Sequence, residues 1–122
     1  MKKSKKIITT VLGLSIFFGV GLSSTSAAVP TDAYISSPNL SYTKTSSKTI
    51  DRKIGWGGGA GSTYRVTWND GLSPYTFSAN YYTTTLTSSY TLGSKSTYTW
   101  SNKLTVTNGS TDTASGSVKL TR

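Results

Sequence analysis

The chain of 122 residues contains no cysteine, no histidine and no glutamate, and its only acidic side chains are Asp32, Asp51, Asp70 and Asp112. Each absence removes chemistry. Without His or Cys, the usual catalytic triads and thiolate nucleophiles are missing. Without His, Cys or Glu, a zinc site lacks its ordinary ligands. A two-carboxylate hydrolase needs a pair about 5–10 Å apart in a cleft. Asp70 and Asp112, however, stand in turn-forming contexts, where Asp ordinarily bonds to the backbone. The chain is therefore read as no enzyme, with no catalytic residues, no metal and no cofactor. Small exported domains often rely on disulfides; a chain with no Cys must be held by its core or by partners.

The first residues, Met1-Lys2-Lys3-Ser4-Lys5-Lys6, are basic, Ile7 to Leu22 are mostly apolar, and Ser23 to Ala28 are small. That order is the layout of a secretory signal peptide. The stretch from Val11 to Leu22 falls short of the roughly 20 apolar residues that span a membrane. Cleavage is expected after Ala27 or one bond later, and the product is expected to be secreted and extracellular. Removing residues 1–27 takes four of the 13 basic side chains, leaving nine against four acidic ones, a net charge of +5. Such an excess favours anionic partners of the cell envelope, although a charge of about 2–8 also serves plain solubility. No nucleic-acid partner is expected.

Period-two alternation recurs along the remainder, which is the mark of half-buried strands. Tyr64, Val66 and Trp68 alternate with polar residues, as do Tyr75 and Phe77. Tyr98, Trp100, Leu104 and Val106 share a parity interrupted by Asn102, and Val118 and Leu120 share another. These eleven apolar side chains are the expected core. Asn69-Asp70-Gly71 and Asn108-Gly109-Ser110 are turn signals between the runs. Short strands at that spacing predict an all-β fold, a small antiparallel β-sandwich over residues 55–122. Residues 28–54 are rich in Ser, Thr and Lys and read as a loosely ordered polar, basic extension, with an edge strand around Thr49 to Ile54.

Gly55-Trp56-Gly57-Gly58-Gly59-Ala60-Gly61 is too glycine-rich for a strand interior and reads as a flexible boundary or tight loop. Its backbone N–H groups offer a weak case for a phosphate nest, and Trp56 is the aromatic least explained by a core. Lys44, Lys48, Arg52 and Lys53 fall within ten positions. They read equally as a patch for an anionic envelope or as the solvated face of the extension. Asn80-Tyr81-Tyr82 places two tyrosines side by side, so a strand there would send them to opposite faces and expose one. The candidate binding residues are therefore Trp56, Asn80, Tyr81, Tyr82, Lys48, Arg52 and Lys53.

Trp68, Gly71, Asn80-Tyr81-Tyr82 and Ser89-Tyr90-Thr91-Leu92, followed by Trp100-Ser101-Asn102-Lys103-Leu104-Thr105-Val106 and the turn Asn108 to Ser115, resemble the pattern of the lactococcin 972 family of secreted bacteriocins. The family's His after the paired tyrosines has no counterpart here. The resemblance implies a β-sandwich bacteriocin acting outside related Gram-positive cells by binding the cell-wall precursor lipid II and blocking septum synthesis. It further implies dedicated immunity and transport proteins in the producer; homo-oligomerisation is left open. Trp68-Asn69-Asp70-Gly71 and Leu104-Thr105-Val106-Thr107 also look like segments of immunoglobulin-like, polycystic-kidney-disease-type sandwiches. That likeness implies a non-catalytic adhesive or carbohydrate-binding module instead.

Overall fold

The computed structural model describes residues 29–122; the expected signal segment lies outside the described residues. Eight strands follow one another: β1 (Asp32–Ile35), β2 (Asn39–Tyr42), β3 (Ser47–Gly57), β4 (Tyr64–Asn69), β5 (Pro74–Ala79), β6 (Thr83–Thr91), β7 (Thr97–Asn108) and β8 (Ser110–Thr121). They form a three-stranded sheet, β1-β3-β6, packed against a five-stranded sheet, β2-β8-β7-β4-β5. The molecule is an all-β sandwich. Among the described residues all pairings are antiparallel except one, β2 running parallel to β8 with Leu40 beside Val118 and Tyr42 beside Leu120.

The segment that carries β1 and β2 divides between the sheets. β1 pairs with the end of β3, from Asp32 beside Gly57 to Ile35 beside Ile54. The chain then turns at Ser37, whose φ is 51°, and crosses to β8 as β2. Residues 32–54 are thus three strands of the sandwich, which corrects the expectation of a loosely ordered extension. Their outward residues are Ser, Thr, Lys and Asp, so composition alone hid the inward row of Ile50, Arg52, Ile54 and Trp56, all buried on one parity of β3.

Two apolar clusters fill the interior. The larger gathers Ala33, Ile35, Ile54, Trp56, Tyr64, Val66, Trp68, Ala79, Leu104 and Val106. The smaller gathers Ile50, Tyr90, Leu92, Val118 and Leu120, with Leu40, Tyr42 and Trp100 half-buried against it. Seven of the eleven expected core residues are fully enclosed, and Phe77 and Trp100 are half-buried. Tyr75 and Tyr98 are not core: they are 55% and 42% exposed. Parity placed Tyr75 on the inner face, opposite Trp68, but β5 is the edge of the wider sheet and only three strands stand opposite. Tyr98 lies at the start of β7, where its ring packs edge-on against Trp100 at 4.9 Å and under Lys95.

Of its two expected readings, the glycine run follows the tight loop. Trp56 and Gly57 end β3, and Asn108 then clamps the following loop: Ala60 N–H donates to Asn108 O, Gly61 N–H donates to Asn108 Oδ1, and Asn108 Nδ2 donates to Gly61 O. Gly59 has φ 88°, and a Cβ there would stand 2.6 Å from the Asn108 carbonyl oxygen, so only glycine fits. Its N–H is bonded to the Val29 carbonyl. With the N–H groups of Gly59, Ala60 and Gly61 bonded within the chain, these three are not free to cradle a phosphate.

Candidate binding surfaces

The seven candidate residues fall into two groups set by the two ends of β3. Trp56, near its C-terminal end, belongs with Asn80, Tyr81 and Tyr82. Lys48, Arg52 and Lys53 lie earlier on the strand. Eight residues from Lys48 to Trp56 correspond to about 26 Å of extended chain, so the groups form no single site.

Trp56 is buried, 2% exposed, which corrects its reading as a surface ligand. Its indole Nε1 donates to the Tyr81 carbonyl at 2.6 Å, and its backbone N–H donates to the Tyr82 carbonyl at 2.9 Å. These two bonds fix residues 80–82 as a bend between β5 and β6 and not as a strand. Both tyrosines are consequently presented outward, Tyr81 at 45% and Tyr82 at 63% exposure, with Asn80 also exposed. Tyr81 packs on Trp56 with ring centres 6.0 Å apart, and Tyr82 meets Tyr64 edge-on at 6.0 Å. Phe77 also meets Trp56 edge-on, and Tyr75 lies beside Phe77 at 5.3 Å. The result is a shelf of rings on the overhanging edge of the five-stranded sheet, anchored from below by one buried indole. Tyr rings held this way give contact area at small entropic cost.

The second surface is an open groove of about 340 Å³ between β2 and the early part of β3, bordered by Lys48, Asp51, Lys53 and the Ser36–Ser37 crossing. Its apolar lining is Leu40, Tyr42 and Ile50. Lys48 and Lys53 are exposed, and Lys48 Nζ lies 5.0 Å from the centre of the Tyr42 ring.

Arg52 does not join them as a surface cation. It is 1% exposed and spans the space between the sheets. Its Nη1 donates to Asn102 Oδ1 at 2.6 Å, its Nη2 donates to the Pro38 carbonyl at 2.7 Å, and the guanidinium lies 5.6 Å from the Trp68 ring centre. Burial lowers its pKa, opposed by the nearby Tyr90 and Tyr42, yet an arginine remains charged. The charge is shared into a polar layer that separates the two apolar clusters. Asn102 Nδ2 donates to the Asp70 carbonyl, as does the Tyr90 hydroxyl, at 2.8 and 2.7 Å. The Asp70 carboxylate accepts bonds from the Ser88 hydroxyl at 2.5 Å and from the Leu72 and Ser73 N–H groups. Desolvation would raise the Asp70 pKa, but the bonds from Ser88, Ser73 and Leu72 outweigh it and hold the carboxyl below its ordinary value. Burial, with the neighbouring Asp70 charge, raises the Tyr90 hydroxyl.

Asp70, Ser88, Tyr90 and Asn102 were not singled out as a network by sequence reasoning. Two signals were present. Asn102 sits in an inward slot between Trp100 and Leu104, and Arg52 sits in another between Ile50 and Ile54. Buried polar groups need partners, and these two bond to each other.

Comparison with protein-family models, characterised proteins and solved structures finds no match to the chain.

Proposed function

We propose that the protein is an exported, non-catalytic ligand of the bacterial cell envelope: a bacteriocin that engages an anionic, lipid-linked wall precursor such as lipid II on related Gram-positive cells. The observation that carries the reading is the Asn80-Tyr81-Tyr82 bend, pinned through two carbonyls by buried Trp56 so that both rings face outward. The +5 charge left after removal of residues 1–27 supplies long-range attraction that salt weakens. Lys48 and Lys53 contribute to that attraction; Arg52, enclosed between the sheets, contributes to folding instead.

A second reading, a secreted adhesive or carbohydrate-binding module, is favoured by a separate observation. The strand order, with β1, β3 and β6 on one sheet and β8, β7, β4 and β5 on the other, corresponds to the ABE and GFCC′ order of immunoglobulin-like sandwiches. The ring shelf, on which Tyr75 and Tyr81 are exposed, also suits a flat saccharide.

Growth inhibition separates the two. The folded protein should slow growth of a sensitive relative, added lipid II should relieve the inhibition, and Tyr82→Ala should weaken it without unfolding the chain. Binding to cells or wall polysaccharide with no effect on growth of any close relative, and no lipid II binding at low salt, would leave the adhesive module as the correct reading.

A further inference from the structure

β3 pairs with β6 along nearly its whole length, from Ser47 beside Thr91 to Gly55 beside Thr83. On its other side it pairs with β1 only from Ile54 to Gly57. The direction of each backbone group follows from the bonds at its ends. Trp56 N–H reaches Tyr82 O, and Leu92 N–H reaches Ser46 O, so even-numbered residues turn their backbone groups toward β6. Ser36 N–H reaches Lys53 O, so odd-numbered residues turn theirs the other way. After Ile35 the chain leaves for the other sheet, and the odd-numbered residues Ser47, Thr49 and Asp51 face a side where no strand among the described residues is paired. That side opens onto the groove lined by Leu40, Tyr42 and Ile50.

We propose that this edge, Ser47–Asp51, docks an extended acidic peptide segment, which joins the three-stranded sheet beyond the end of β1. The backbone of the edge supplies sequence-independent hydrogen bonds, and alternate side chains of the incoming strand enter the groove over Tyr42 and Ile50, the usual division of labour in strand addition. Charge selects the partner. Lys48 and Lys53 border the groove, against the carboxylate of Asp51, which accepts a bond from Thr87. A second copy of this chain would bring the same lysines to the shared edge; an acidic strand would neutralise them. Exposed lysines on a bare edge discourage self-pairing while leaving the edge open to a chain of opposite charge. The proposal shares Lys48 and Lys53 with envelope attraction but not the Tyr81–Tyr82 shelf, which lies about 26 Å along the sheet and carries the short-range contact.

The test titrates the isotopically labelled protein, at low salt, with a synthetic peptide of about ten alternating Thr and Glu residues, long enough to span the edge. Amide exchange at Thr49 and Asp51 should slow by about tenfold or more, while Ile50 and Arg52, already bonded to β6, should not change. Thr49→Pro removes one edge donor without touching the β6 ladder, and proline is tolerated on the unpaired side of an edge strand. It should weaken binding by about tenfold, equivalent to about 1.4 kcal/mol. Lys48→Gln with Lys53→Gln, two exposed positions, should weaken binding and flatten its salt dependence, and this arm stands even if Thr49→Pro misfolds. The proposal is overturned if the Thr-Glu peptide leaves Thr49 and Asp51 exchange unchanged, or if a Thr-Lys peptide slows it equally. It is also overturned if inorganic phosphate or phosphatidylglycerol vesicles reproduce the same protection.

Discussion

At the Trp56 end of the sandwich, β1 lies in the seam between the sheets and is tied to both. It pairs with β3, its Ala33 N–H donates to Asp112 Oδ2 on β8 at 2.7 Å, and Thr31, just before it, bonds to Asn108 and Ser110. At the Ile50 end, β2 pairs, among the described residues, with β8 alone, and the seam stands open. The sealed end encloses ten residues in its apolar cluster and the open end five, so stability is concentrated where the seam is closed. Arg52, Asn102 and Asp70 form the boundary. The difference shows how one crossing, at Ser36–Pro38, can divide a small domain into a stabilising half and a half with backbone left to offer.

The largest effect that would sharpen this contrast is a truncation at each end. Trp56→Ala removes a fully buried indole, with its bond to Tyr81, and should cost about 3–5 kcal/mol in denaturant melts. Trp100→Ala, at the open end, removes a half-buried ring packed on Tyr90 and Tyr98 and should cost clearly less. Equal costs would mean that the two ends contribute equally to stability.

Next in size is the boundary. Arg52→Met leaves Asn102 Oδ1 and the Pro38 carbonyl without their donor and should cost about 2–3 kcal/mol, the scale of bonds to a charged group. Adding Asn102→Leu should cost less than the sum of the two single changes, because the partners are lost together. Strict additivity in a double-mutant cycle would show that the two side chains do not act as a unit.

A smaller effect is set by pH. Because hydrogen bonds hold the Asp70 pKa below its unfolded value, its stabilisation is complete above about pH 4. That stabilisation fades as pH falls through the lower folded value. Unfolding free energies measured from pH 6 downward should fall less steeply in Asp70→Asn than in the parent chain. Parallel curves would mean that Asp70 contributes nothing to acid sensitivity. The smallest change in stability is expected for Tyr82→Ala, an exposed site where substitutions usually stay within about 0.5 kcal/mol.

Much of this architecture was legible in residue alternation. Tyr64, Val66 and Trp68, Leu104 and Val106, and Val118 and Leu120 are buried on the parity that the sequence displays. Alternation assigns a face but not what covers it, which is why Tyr75 and Tyr98 read as core and are exposed. It was also blind to β1 and β2, four residues each, whose partners lie far away in sequence: Ile35 beside Ile54, and Tyr42 beside Leu120. Trp56 was misread because its glycine neighbours describe the loop after it, whereas its burial depends on Tyr64, Phe77 and Tyr81 from other elements. Of the candidate site, the Tyr81–Tyr82 pair was visible, and the anchoring of its bend from β3 was not.

Residue-resolved hydrogen exchange of the free protein tests the difference between the two ends most directly. Gly55 and Thr49 lie on the same strand and turn their backbone the same way, Gly55 toward Tyr34 of β1 and Thr49 toward the groove. Strong protection is expected at Gly55, fast exchange at Thr49 and Asp51, and strong protection at Ile50 and Arg52. Protection at Thr49 and Asp51 matching that of Gly55, with no ligand added, would contradict it.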